Sequence, residues 1–261
     1  MKSVCVVLMA AALVSGAENR QQRGKRVVEE CLAALGGERF LAMEDRVETG
    51  RAYSFYRERL SGLSIAKIYV RYLAGGLPGE LALRERQAFG KKEDNSVVFS
   101  DKEAWEITFR GARPLTQDRL DRYRESTLRG ILYILRQRYH EPGMTFESQG
   151  ADVIDNRPVE IVDVTDSDNR TTTVYFDQTT KLPTRQMFYR RDSSTKERDE
   201  EKTLFAKYRD VGNGVMWPYD VQRERNGEKI FQIFADTVAI NQGLTDEKVT
   251  LPAGITILKK P

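Results

Sequence analysis

Few residues in this chain are placed to do chemistry. The 261-residue sequence has one histidine, His140, and two cysteines, Cys5 and Cys31. Imidazole catalysis needs a nucleophile or a reacting group within reach of the ring, in a recognisable arrangement. His140 stands instead beside Pro142 at the end of a helical pattern, where a cation suits the last carbonyls and the helix dipole. Cys31 lies on an apolar stripe and reads as a small core residue. One His and one Cys do not build a tetrahedral zinc site. Asp163, Asp166 and Asp168 with Asn169 resemble a calcium loop faintly, without the Gly and the distal Glu of the EF-hand type. Asx side chains in a hairpin turn account for them. GxSxG, HExxH, CxxC pairs, the P-loop and GxGxxG do not occur. No pair of acids is marked out by an apolar setting for glycoside hydrolysis. The expectation is a non-enzymatic protein with no catalytic residue, no metal and no cofactor.

The elements that would position a binding site are mostly strands. Residues 159–191 organise the chain as an antiparallel meander. Its first strand ends in the polar cluster 166–169, and a second turn covers 177–181. Pro183 lacks an N–H and belongs at a strand entry. From 47 to 111 the pattern has period two: Ala66, Ile68, Val70 and Tyr72 face one way, Lys67, Tyr69 and Arg71 the other. Residues 215–225 and 229–240 pair through Asn226-Gly227. Residues 192–202 read as a charged insert.

Two segments read as helices. Val27, Val28, Cys31, Leu32 and Leu35 recur at helical spacing over 19–35, before Gly36-Gly37. Leu120, Tyr123, Leu128, Ile131, Leu132, Ile134, Leu135 and Tyr139 give 116–139 a broad apolar face, read as one long helix ending at Pro142-Gly143. The fold class expected is mainly β (α+β): about ten or eleven strands in a single curved antiparallel sheet, with an N-terminal helix and a helical lid.

Residues 1–17 read as a signal peptide: Lys2, then an apolar run over 4–14, then Ser15-Gly16-Ala17 as small residues for cleavage near Ala17. Residues 18–261 form one domain, expected to be exported and soluble. Formal charge is +3, with Lys and Arg interleaved among Asp and Glu. No nucleic-acid partner is expected from that pattern.

The remaining signal is hydrophobic. The inward set comprises Ile68, Val70, Leu83, Phe89, Trp105, Ile107, Met187, Tyr189, Trp217, Phe231 and Ile233, with Leu128, Ile131 and Leu135 from the helix. These residues either fill a dry core or line an apolar cavity closed by the helix.

Four motifs carry a resemblance. They are Ala34-Leu35-Gly36-Gly37 followed by 46–50, and Asp101-Lys102-Glu103 ahead of Trp105. The others are Asp177, Thr180, Leu182 and Pro183 as D-x-x-T-x-L-P, and the closing 238–241 with Val249-Thr250-Leu251-Pro252. In this order they resemble the periplasmic lipoprotein-carrier superfamily (LolA/LolB/RseB-like), in its outer-membrane lipoprotein-sorting branch. The resemblance implies a half-closed barrel whose lid covers an apolar cavity for acylated lipid or lipoprotein, in a periplasmic protein. Envelope proteins and transient contact with the membrane surface are further partners to consider. The alternative is an envelope sensor or scaffold domain that binds another protein, with a filled core and no cargo.

Overall fold

The computed structural model describes residues 18–75, 77–191 and 196–259. The signal-peptide reading of 1–17 and part of the charged insert lie outside the described residues. Helix α1 (Arg20–Leu35) starts in a capping box: Asn19 accepts from the Gln22 N–H at 2.8 Å, and the Gln22 side chain accepts from the Asn19 N–H at 3.0 Å. Gly36 ends the helix at a φ of 122°, a conformation that favours glycine. Helix α2 (Glu38–Leu41) is a single turn that buries Phe40.

Strands β1 (Asp45–Tyr56), β2 (Arg59–Tyr72), β3 (Leu83–Phe89), β4 (Asn95–Phe99), β5 (Ala104–Thr108) and β6 (Gly111–Pro114) follow as consecutive antiparallel neighbours. A helical segment then intervenes: α3 (Gln117–Leu128), α4 (Ile131–Tyr133) and one π-helical turn, Ile134–Arg138. Strands β7 (Thr145–Ile154), β8 (Arg157–Thr165), β9 (Thr171–Asp177), β10 (Pro183–Arg191), β11 (Arg198–Asp210), β12 (Met216–Arg225) and β13 (Glu228–Ile240) form a second meander. β13 pairs with β1, from Arg46↔Ile240 to Ser54↔Phe231. The result is one curved 13-stranded sheet in the order β6-β5-β4-β3-β2-β1-β13-β12-β11-β10-β9-β8-β7, open between its edges β6 and β7. Helix α5 (Asp246–Val249) and the tail cross its outer face. No helix among the described residues is long and apolar enough to cross a membrane.

The strands expected over 159–191 form as β8, β9 and β10. Three features differ from the sequence reading. β6 is four residues long, too short to show a period. The helix over 116–139 breaks at Arg129-Gly130, because Gly130 is extended (φ −69°, ψ 120°). The part of the charged insert at 198–202 is strand, since Glu201, only 6% exposed, is paired inside the sheet with Arg190 and Arg225. Charge there signals ion pairing across strands, not solvent.

The main core lies between α1 and the strands of the second meander. Val27, Val28, Cys31 and Leu35 pack on Phe146, Val162, Val164, Val174, Phe176 and Trp217. Gly24 brings the helix backbone against β7: a Cβ there would stand 2.6 Å from the Phe146 carbonyl oxygen and 2.9 Å from the Ser148 nitrogen. Overpacking of this kind costs about 1–3 kcal/mol. Gly24→Ala is therefore expected to lower unfolding free energy by that amount in urea titration, although Ala is the better helix former.

Candidate functional site

The concave face is filled unequally. α1 covers the β7–β12 half, fixed there by the Gly24 contact and by Arg23, whose guanidinium donates to both Glu160 oxygens at 2.7 Å. α3 covers the rim at β4, where Tyr123 stacks on Phe99 with ring centroids 3.8 Å apart. Between them a hollow of about 400 Å³ opens over β2, β3, β12 and β13. Ile68, Phe89, Leu132, Phe205, Trp217, Val221, Phe231 and Ile233 form its apolar lining. A second hollow of about 480 Å³ runs beneath α3 and α4 and shares Glu85, Gln87, Leu132, Phe205 and Arg223 with the first. Together they fall in the size range of ligand pockets, about 300–1,000 Å³.

The broken helix is held over this space by polar contacts, one of which uses a backbone N–H that the break sets free. At the break, the Ile131 N–H donates to Gln186 Oε1 at 2.7 Å. The Tyr133 hydroxyl accepts from the Ala82 N–H at 2.7 Å. Arg138, almost fully buried, donates to the Leu128 carbonyl at 2.7 Å and to Asp166 Oδ2 at 2.9 Å, and also pairs with Glu141. Asp166 Oδ1 accepts from the N–H groups of Asp168 and Arg170, both at 3.0 Å. The Asp-rich turn is thus an Asx turn and an anchor for the helical segment. Among the described residues no group of three or more His, Cys, Asp or Glu is arranged to hold a metal ion. His140 is exposed beside the Tyr139 ring. Cys31 is buried in the core, and burial pushes its thiol well above the ordinary range.

The floor of the hollow is polar as well as apolar. Arg190 donates to Glu201 at 3.1 Å and Arg225 to the same oxygen at 2.9 Å. The Tyr123 hydroxyl donates to Glu85 at 3.1 Å, and Gln87 donates to the other Glu85 oxygen. Arg46 pairs with Glu48, and its guanidinium lies 4.4 Å from the centre of the Trp217 ring.

Of the residues singled out in the sequence, Ile68, Phe89, Trp217, Phe231 and Ile233 meet in the first hollow, and Ile131 lines the second. Val70, Leu83 and Leu128 pack with Leu81 and Tyr133 in a cluster beside the hollows, with Ile68 and Tyr123 against it. Leu135 is in the main core. Ile107 faces the outer side with Val98 and Ala112, and Trp105 packs there beside Leu251 and Ile255 from the tail. Met187 and Tyr189 also lie on the outer side: Tyr189 is 40% exposed under the Arg198 guanidinium. Their strand instead buries Gln186, Phe188 and Arg190. Apolarity pointed to the wrong face because ion pairing with Glu201 lets Arg190 lie inside. Sequence reasoning also missed Val221 and Arg223, although they share the strand parity of Trp217.

The Arg138–Asp166 pair ties the helical segment to the sheet and should make stability depend on pH. Burial alone would raise the Asp166 carboxyl. Hydrogen bonds from Arg138 and from the Arg170 backbone and side chain overcome this and hold it below the usual carboxylate range. Its contribution is present above the unfolded value of about 3.9 and is lost as pH falls through the lower folded value. Asp166→Asn leaves Arg138 buried with one partner fewer, at an expected cost of about 3 kcal/mol at pH 7. Denaturant melts at pH 7 and in acid should show that loss shrinking below pH ~4.

No protein-family model matches the chain, and no curated protein matches it by sequence. Solved structures do. A domain described as an outer membrane lipoprotein-sorting protein domain, from Vibrio parahaemolyticus, has a TM-score of 0.59 at 10% identity, covering 88% of this chain and 97% of its own. A DUF1329 family protein from Desulfovibrio piger gives 0.58 at 12% identity, covering 87% and 97%. A LolA superfamily protein from Nitrosomonas europaea gives 0.51 at 10% identity, covering 87% and 97%. The chain shares the fold of these three structures, a single curved antiparallel sheet open between its edges.

Proposed function

We propose that this protein is a non-enzymatic carrier or binder of acylated lipid or lipoprotein, exported to the periplasm, that holds an apolar chain in the hollow beneath its helical segment. The observation that carries this reading is the open space over β2, β3, β12 and β13, with Ile68, Phe89 and Phe231 packed around Ile233 as its apolar floor and Trp217 also lining it. Burying a CH₂ group is worth about 0.8 kcal/mol, so one acyl chain gives useful affinity without any covalent step. The fold shared with a lipoprotein-sorting domain and a LolA superfamily protein agrees with this reading. The open hollow weighs against the alternative of a filled scaffold.

Two measurements test it. The purified protein should carry co-purifying lipid visible by native mass spectrometry. The chain has two tryptophans, and only Trp217 lines the hollow. In a Trp105→Phe variant, Trp217 emission should therefore shift when palmitate is added, and Phe231→Asp should abolish the shift. Protein free of lipid whose Trp217 emission ignores palmitate would overturn the proposal.

A further inference from the structure

The hollow has a charge surplus that an apolar guest alone does not use. Arg119, Arg122, Arg190, Arg223 and Arg225 line its second part, against Glu85 and Glu201. Both carboxylates are already engaged. Glu201 takes Arg190 and Arg225 from either side. Glu85 takes the Tyr123 hydroxyl and the Gln87 amide. Arg122 is paired with Asp118 at 2.8 Å. Arg223 lies at the junction of the two parts and lines both. Its one hydrogen-bond partner among the described residues is the Ser126 hydroxyl at 3.3 Å, and no carboxylate stands within ion-pair distance of it.

Arg223 is half-buried against the walls of the hollow, and a guanidinium drawn partly out of water is ordinarily paired with an anion. Burial lowers the Arg223 pKa, with Arg225 and Arg190 adding to the effect and Glu201 and Glu85 opposing it. The fork of a guanidinium matches the paired oxygens of a carboxylate or phosphate. The apolar part of the hollow, at Ile68, Val221, Phe231 and Ile233, opens directly onto this group.

Resting on the carrier reading, we infer that the guest is an amphiphile with an oxyanion head, its chain over β2, β12 and β13 and its carboxylate or phosphate on Arg223. The geometry thus ranks ligands by head as well as by chain. A neutral ester forfeits the charge-assisted hydrogen bond, and an ammonium head meets a cationic floor.

The test is a binding series on the purified protein with palmitate, hexadecyl phosphate and methyl palmitate, read by displacement of a fluorescent fatty-acid probe. Charge-assisted hydrogen bonds are the strong ones, so at least one anion should bind about tenfold tighter than the ester. Arg223→Gln should bring both anions to within about twofold of the ester measured on the same variant. A thermal melt that keeps a cooperative transition shows that the variant is folded. Arg223→Lys keeps the charge and should keep part of the preference. Preference for palmitate alone points to a fatty-acid head, and preference for hexadecyl phosphate to a phosphate head; either supports the inference. Equal binding of anions and ester, or a preference that survives Arg223→Gln, overturns it while leaving the carrier reading standing. No binding of any of the three overturns both.

Discussion

The anchoring of α1 to one half of the sheet is the constraint from which the rest follows. A 13-stranded sheet bent on itself presents more concave surface than two short helices can cover. Gly24 lets α1 approach the backbone of β7, and Arg23 ties the helix to Glu160 of β8. The segment α3–α4 is drawn to the opposite rim, by Tyr123 on Phe99 and by the Ala82–Tyr133 hydrogen bond. Ile131, Ile134 and Leu135 of that segment join the main core with Val238 and Ile240 of β13, and Leu132 lines the first hollow. The hollow opens beside that cover, over Ile68, Phe89, Phe231 and Ile233, which pack together as its floor.

The break at Gly130 belongs to the same arrangement. The extended Gly130 redirects the chain, frees the Ile131 N–H, and gives it to Gln186. Arg138 then closes the segment onto both Leu128 and the Asp166 turn. The cover over the hollow is therefore held by buried polar contacts as well as by Leu128, Ile131, Ile134 and Leu135, which are buried in apolar clusters.

Much of this was legible in the sequence. The period-two alternation of 66–72 assigned Ile68 to the inside and Lys67 to the outside, as found. The Asp166 and Asp177 turns followed from Asx chemistry, and both carboxylates accept nearby backbone N–H groups. The strand parity of β10 was equally clear, yet its inner face was misassigned. Met187 and Tyr189 are the more apolar residues, but the fold buries Arg190 against Glu201. Trp105 and Ile107 misled for a different reason: the tail covers the outer face of β5, so an apolar pair there is buried without facing the hollow. Long-range pairing decided each case, and no local pattern encodes it. Val221 and Arg223 were within reach, since Trp217 fixes the parity of β12.

The hollow therefore joins an apolar trough to a cationic end within the curved sheet. The most direct measurement of that claim is photolabelling with a fatty acid bearing a diazirine along its chain, followed by peptide mapping. The account predicts adducts on β2, β12, β13 and around Leu132, competed away by unlabelled palmitate. Adducts confined to the outer surface, such as the exposed Leu60 and Leu63 of the β1–β2 hairpin, would contradict it.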